Sequence, residues 1–251
     1  MKIALAGYGK MGREVEFIAR TRGHEITGIY DEYSGFKLLS PEALKKHPAD
    51  VIIDFTQPDA VVTNVRVAAK AGVPIVVGTT GWEKERSKIK KMVEEGGIAC
   101  VSASNFSIGV NLFFKIVREA SRLMNTADYD VYINEAHHRM KKDFPSGTAL
   151  RISEEILSTF TTKTRVQSVL KQGEAPSREA LLISSIRSGN ITGEHIVGFE
   201  SEEDSIELKH NAKSRRGFAL GAVRAAEWVV GKQGVFRFEE HLEEILENSK
   251  Q

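Results

Sequence analysis

The chain has 251 residues, 41% of them hydrophobic and 27% charged, which is the composition of a folded protein and excludes the disordered and collagen-like classes. Thirty-five lysines and arginines against 34 aspartates and glutamates leave a formal charge of +1, so no global field draws in nucleic acid, an anionic membrane or an acidic partner. No run approaches the roughly 18 apolar residues of a membrane span, and the single cysteine, Cys100, sits among Ile98, Ala99 and Val101 as a core side chain without a disulfide partner.

Met1-Lys2 leads directly into a strand with no apolar signal-peptide run, so the expected location is the cytoplasm. Residues 3–6 predict a strand ending in Gly7-Tyr8-Gly9-Lys10-Met11-Gly12, followed by a helix over 13–20. Strands are expected at 26–30, ending at Asp31, and at 51–55, with Pro58-Asp59 opening a helix that runs to Gly72. Residues 73–77 form a further strand stopped by Gly78-Thr79-Thr80-Gly81, then a charged helix over 82–95 leads to a strand at 98–101. Short apolar strands alternating with helices describe a parallel sheet covered on both faces.

The rhythm changes after Asn105. A helix over 109–124, a strand over 129–136 and a helix over 148–160 precede β-like alternation at 166–170, 181–187, 194–199 and 205–210. Strands in succession without helices between them imply an open mixed or antiparallel sheet, hence a second domain. Helices at 218–230 and 239–246 are expected to return to the first.

Gly7, Gly9 and Gly12 make G-x-G-x-x-G between a strand and a helix, and Asp31 lies 19 residues beyond Gly12 at the next strand's end. Glycines admit the backbone to a pyrophosphate, the helix N-terminus meets its charge, and a carboxylate placed there meets a ribose hydroxyl. Lys10 and Met11 lie inside the turn, and ligands in such sheets bind beyond the strands' carboxyl ends. Asp54-Phe55-Thr56, Gly78-Thr79-Thr80 and Ala103-Ser104-Asn105-Phe106 should therefore line one crevice. Asp31 and Glu32 together would repel a 2′-phosphate, partly offset by Lys10, so the expectation is NADH preferred with some tolerance of NADPH.

From Glu135 to Ala149 the sequence reads EAHHRMKKDFPSGTA. A run of histidines, arginine and lysines from His137 to Lys142 leads through Pro145 into Ser146-Gly147-Thr148, which opens a helix and presents free N–H groups to an anion. Histidine titrates near neutrality, and a lysine beside other cations is easily depressed, so the same loop offers acid and base groups. Adjacent histidines diverge and no metal-ligand spacing such as H-E-x-x-H occurs, so no metal is expected. His24, His47, His195, His210 and His241 are scattered and are expected to be surface or satisfied core residues.

On the glycine turn with Gly12-Arg13, Asp54-Phe55-Thr56-Gln57-Pro58, Gly78-Thr79-Thr80-Gly81, the stretch 105–111, the histidine-pair segment from Glu135 to Ala149, Gly193-Glu194-His195 and the stretch 221–226, the sequence resembles the dihydrodipicolinate reductase family, the 4-hydroxy-tetrahydrodipicolinate reductases of the diaminopimelate route to lysine. The motifs run in order along almost the whole chain. The resemblance implies a Rossmann-type domain over 1–106 and 216–251, an inserted α+β substrate and oligomerisation domain over 107–215 with an open mixed sheet, and a homotetramer joined through those sheets. It implies a cyclic dicarboxylate substrate, with hydride delivered to C4, a proton to C3 and loss of water, and closure of the two domains about a hinge.

Position by position, it implies His137 as proton donor and Lys141 as second donor or substrate-binding lysine. His138, Gly147 and Thr148, with Ser146, would hold the carboxylates. Gly78 to Thr80 and Ala103 to Phe106 would contact the cofactor, with Arg215 and Phe218 nearby. Two departures stand out: Phe144 replaces the usual alanine, and 173–180 lacks the usual glycine-threonine-glycine loop. The alternatives are another two-domain NAD(P) oxidoreductase, which lacks the histidine pair, and a non-catalytic NADH sensor, which needs a partner surface that the sequence does not display.

Overall fold

The computed structural model describes residues 1–33 and 35–247; the last four residues of the expected 216–251 segment lie outside them. In chain order the elements are β1 (Lys2–Ala6), α1 (Lys10–Thr21), β2 (Glu25–Tyr30), α2 (Pro41–Lys46), β3 (Val51–Asp54), α3 (Pro58–Ala71), β4 (Ile75–Val77), α4 (Arg86–Glu95) and β5 (Ala99–Ser102). There follow α5 (Ile108–Met124), β6 (Asp130–His137), α6 (Gly147–Leu157), β7 (Arg165–Gln167), β8 (Ala180–Arg187), β9 (Glu194–Glu200), β10 (Ser205–Asn211), α7 (Arg216–Val229), β11 (Gly234–Arg237) and α8 (Leu242–Glu247). The chain divides into two compact units, Met1–Ile108 with Arg215–Gln251, and Gly109–Ser214.

The first unit holds a six-stranded parallel sheet in the order β11-β5-β4-β3-β1-β2, so the strand order reverses between β1 and β3. Alternation along each strand explains its two cores. Ile3, Leu5, Ile53, Val76 and Val101 pack on one side with α7 residues such as Ala222, Val223 and Ala226. Ala4, Ala6, Ile52, Ile75 and Val77 pack on the other with Val61, Val65 and Val93 of α3 and α4. Burying each such aliphatic side chain contributes about 1.5 to 3 kcal/mol, which is why strands this short need helices over both faces.

Two elements lie outside the sequence expectation. α2 has only 6 residues but carries a legible start, Ser40 accepting a hydrogen bond from the Ala43 amide, with Pro41 behind it. β11 is half-buried, has only four residues and begins with a glycine, so its periodicity is too short to stand out, yet it pairs with β5 over all four. The charged helix expected over 82–95 begins later, at Arg86, after a single 3-10 turn at Glu83–Glu85.

The second unit holds a five-stranded mixed sheet in the order β10-β9-β6-β8-β7. β6, β8 and β7 are mutually parallel, whereas β9 runs antiparallel to β6 and β10. Within the described residues of this unit, α5 and α6 cover one face: Val131, Ile133, Leu181, Ile183, Val197 and Phe199 pack against Phe113, Val117, Ile152 and Ile156. The opposite face carries Tyr132, Ile196 and the 49% exposed Ile186. The Rossmann-type sheet and the second open mixed sheet agree with the expected fold class. Among the described residues no helix is long and apolar enough to cross a membrane.

Candidate active site

In the first unit the glycine turn is required sterically. Gly7 has φ +87°, and a Cβ there would lie 2.2 Å from the Phe55 carbonyl oxygen. A Cβ on Gly12 would lie 2.2 Å from the Gly7 oxygen, so α1 closes on the turn only without side chains. Gly9 faces open space and caps α1 without a side-chain bond, leaving the helix N-terminus to a ligand anion.

Beyond the ends of β1, β2 and β3 lies a cavity of about 430 Å³ lined by Gly7, Gly9, Asp31, Glu32, Phe55 and Asp59 among others. Asp31 accepts from the Tyr8 amide at 2.5 Å and the Tyr33 amide at 2.8 Å, which fixes its carboxylate at the cavity wall. These features fit a dinucleotide: an open glycine turn, an uncapped helix end and a carboxylate just past the end of the second strand.

The other expected cofactor residues are spread more widely. Thr79, Ala103 and Ser104 line a separate small cavity of about 80 Å³ with Arg86 and Arg237. The Thr79 hydroxyl is engaged by buried Asp54 at 3.0 Å. Phe106 is core, stacked edge-on to Phe55, and the Asn105 side chain accepts from the Ser107 amide. Lys10, Thr80 and Arg215 are exposed; Met11, Gly78 and Phe218 are half-buried.

In the second unit the register of the sheet builds the cluster. Residues 131, 133, 135 and 137 of β6 share one face, so Glu135 and His137 continue the row of Val131 and Ile133 to the strand's end. The parallel pairing with β8 sets Arg187 beside His137, and the antiparallel pairing with β9 sets His195 opposite Glu135. His210 of β10 stands opposite His195.

Glu135 is 1% exposed and has both oxygens engaged. Oε2 pairs with His137 Nδ1; Oε1 accepts from Arg187 Nη2 at 2.7 Å and the Ser146 amide at 3.3 Å. Burial opposes its ionisation, but the hydrogen bonds from His137 and Arg187 outweigh it and hold the carboxyl well below the usual range. His195 is 4% exposed; burial, then the neighbouring His137, pushes its pKa down to about 3, so it is neutral. Its ring meets His137 edge-on at 5.1 Å, and its Nε2 lies 3.2 Å from Ser146 Oγ.

Lys141 pairs with Asp143 at 2.9 Å and is close enough to depress His195 electrostatically. His138 is half-buried just past β6, its carbonyl accepting from the Lys141 amide. Ser146 caps α6 through the Ala149 amide at 3.2 Å, so the amides left for an anion are those of Gly147 and Thr148. Phe144 is 62% exposed, and of 173–180 the residues 173–179 are exposed and lead into Ala180, the buried first residue of β8.

The structure thus brings His137 and Ser146 together on Glu135, which bonds both, with Lys141 nearby. It corrects the expectation for His195, a central member of the cluster rather than a satisfied core residue, because its Nδ1 is buried without a partner among the described residues. Glu135 and Arg187 carry no expected role in sequence. The i, i+2 spacing of Glu135 and His137 on a predicted strand signals a shared face; nothing local marks Arg187, 52 residues from Glu135. Glu135, His137 and His195 lie within 4.8 Å of one another at their ligand atoms. Both carboxylate oxygens are already engaged, and Arg187 and Lys141 add positive charge, which opposes a metal cation here.

A parallel sheet whose strand order reverses beside a glycine turn, joined to a second unit with a mixed sheet, is the architecture of two-domain nucleotide-binding dehydrogenases. Residues 1–106 match the family model of the dihydrodipicolinate reductase N-terminus and residues 109–242 that of its C-terminus. The chain belongs to the dihydrodipicolinate reductase family. It is 38% identical over 251 residues to the 4-hydroxy-tetrahydrodipicolinate reductase of Christiangramia forsetii, covering 99% of this chain and 100% of that one. It is 47% identical over 201 residues to that of Methanosarcina barkeri, covering 79% and 75%. In fold it resembles a dipicolinate-bound dihydrodipicolinate reductase from Paenisporosarcina sp. TG-14, with TM-score 0.77 at 23% identity over 96% of this chain and 98% of that one.

Proposed function

We propose that this chain reduces 4-hydroxy-tetrahydrodipicolinate to tetrahydrodipicolinate in the diaminopimelate route to lysine, acting in the cytoplasm as a homotetramer. The observation that carries the reading is the buried Glu135–His137–Arg187 array beside a cationic loop and the start of α6. The first unit holds the dinucleotide at Gly7, Gly9 and Asp31; when bound, it supplies the hydride for ring C4. The second unit holds the substrate. The amides of Gly147 and Thr148, with His138 and Lys141, receive the two carboxylates, and Lys141 exchanges Asp143 for one of them. His137 delivers the proton to C3, a general-acid contribution of about 10² to 10⁴ in rate. The open face with Tyr132, Ile186 and Ile196 supports assembly through sheets.

The cofactor is NADH in preference to NADPH. Asp31, Glu32 and Asp59 line the cavity of about 430 Å³ and, among the described residues, no lysine or arginine does so, so a 2′-phosphate meets repulsion that Lys10, exposed beside Gly9, offsets only in part. The test is NADH and NADPH oxidation on addition of the freshly made condensation product of pyruvate and aspartate semialdehyde. The expected result is product-dependent oxidation with a higher kcat/KM for NADH. Absence of product-dependent oxidation contradicts the function, and a roughly tenfold advantage for NADPH, about 1.4 kcal/mol, contradicts only the cofactor preference.

A further inference from the structure

The geometry points to Glu135 as a positioning residue: pinned by Arg187, it fixes the tautomer of His137 so that Nε2 alone carries the transferable proton. This rests on the reading of His137 as the acid. An ionised carboxylate only accepts hydrogen bonds, so the contact between Glu135 Oε2 and His137 Nδ1 makes Nδ1 the donor and leaves Nε2 as the atom that gains and loses a proton. Arg187 and the Ser146 amide occupy the other oxygen, Oε1, so the carboxylate cannot rotate away from the ring without leaving the guanidinium unpaired. Arg187 is itself held by the Asp143 carbonyl at 2.6 Å.

The space over Nε2 is kept clear by Gly193. A Cβ at that position would lie 3.1 Å from His137 Nε2, closer than ordinary van der Waals contact, and 3.4 Å from Cδ2. Proton transfer balances as follows. The Nε2–H bond of the imidazolium breaks, its electron pair staying on Nε2, while C3 forms its C–H bond with the pair that hydride addition releases in the conjugated ring. The neutral ring left behind bears hydrogen on Nδ1, the form that Glu135 favours, and solvent returns the proton to Nε2.

The titratable and charged groups facing His137 are Glu135 on its own strand, Arg187 from β8, His195 from β9 with His210 one strand beyond, and Lys141 and Asp143 from the following loop. Of these, Glu135 alone bonds the imidazole. In Glu135→Gln the charge that favours the imidazolium is gone. The alkaline limb of the kcat profile should then move down by about 1 to 2 pH units, with kcat above the limb reduced about 10- to 100-fold and substrate KM changing less. Glu135→Asp, which retains the charge, should restore part of the limb.

If Glu135→Gln does not fold, the wild-type protein still answers through the ¹⁵N shifts of His137, assigned by their loss in His137→Gln. Hydrogen on Nδ1 and a bare Nε2 above the limb are expected; hydrogen on Nε2 overturns the proposal, as does an unmoved limb in Glu135→Gln. The two readings separate in the kinetics. A wild-type kcat in His137→Gln removes the acid itself, whereas an impaired His137→Gln beside an unimpaired Glu135→Gln removes only the positioning role.

Discussion

Each unit buries one carboxylate at the carboxyl end of a strand, and the two are held in opposite ways. Asp54 ends β3 among neutral donors: the Thr56 amide and hydroxyl, the Thr79 hydroxyl at 3.0 Å and Asn64 Nδ2 at 2.8 Å. Burial raises its pKa, and those bonds only partly offset it. Glu135 lies near the end of β6 between an imidazole and a guanidinium, and its pKa is lowered despite burial. Neutral donors tie two loops and helix α3 together around Asp54, whereas the hydrogen bonds from His137 and Arg187 keep Glu135 charged. A buried carboxylate is therefore structural or chemical according to the charge of its donors.

The largest expected effect breaks the comparison at its chemical end. His137→Gln should lower kcat about 10²- to 10⁴-fold while leaving NADH affinity nearly unchanged by fluorescence titration; an unchanged kcat at saturating substrate removes His137 from the chemistry.

Next, Glu135→Ala strands Arg187 and should destabilise the fold by about 3 to 5 kcal/mol, whereas Asp54→Asn keeps most donors satisfied and should cost about 1 kcal/mol. Urea unfolding at neutral pH separates the two, and equal losses would erase the contrast. The signs follow from linkage. Glu135, with a lowered folded pKa, stabilises above its ordinary value and loses that contribution as pH falls. Asp54, with a raised one, favours the fold at low pH and loses that contribution as pH rises.

His195 sharpens the pH argument. Between its ordinary value of about 6.5 and about 3, the unfolded chain takes up a proton that the buried ring refuses, so stability should fall by about 1.4 kcal/mol per pH unit across that window. His195→Gln should flatten that slope in denaturant titrations; an unaltered slope would mean that His195 titrates normally. The smallest effect is at Gly193. Gly193→Ala should reduce kcat about tenfold by crowding His137 Nε2, with a stability change within about 1 kcal/mol, and a wild-type kcat would show that the ring has room to yield.

Much of the first unit is legible in sequence because its signals are local: Gly7, Gly9 and Gly12 between strand and helix, Asp31 at the next strand's end, Pro58 and Gly72 bounding α3. β11 is not, since it joins the sheet from beyond the second unit. In the second unit His137 and Lys141 stand in a legible motif, but the groups that set their chemistry arrive through strand pairing. Arg187 depends on a parallel register and His195 on an antiparallel one, and neither register is written near the residue it positions.

On the proposed reading, a nucleotide held at Gly7, Gly9 and Asp31 supplies the hydride that reduces the substrate ring. NADH dideuterated at nicotinamide C4, so that either face carries deuterium, turned over with the condensation product, tests it by NMR of the reduced ring. Deuterium at ring C4 is the predicted result; a ring without deuterium after NADH is consumed would contradict it.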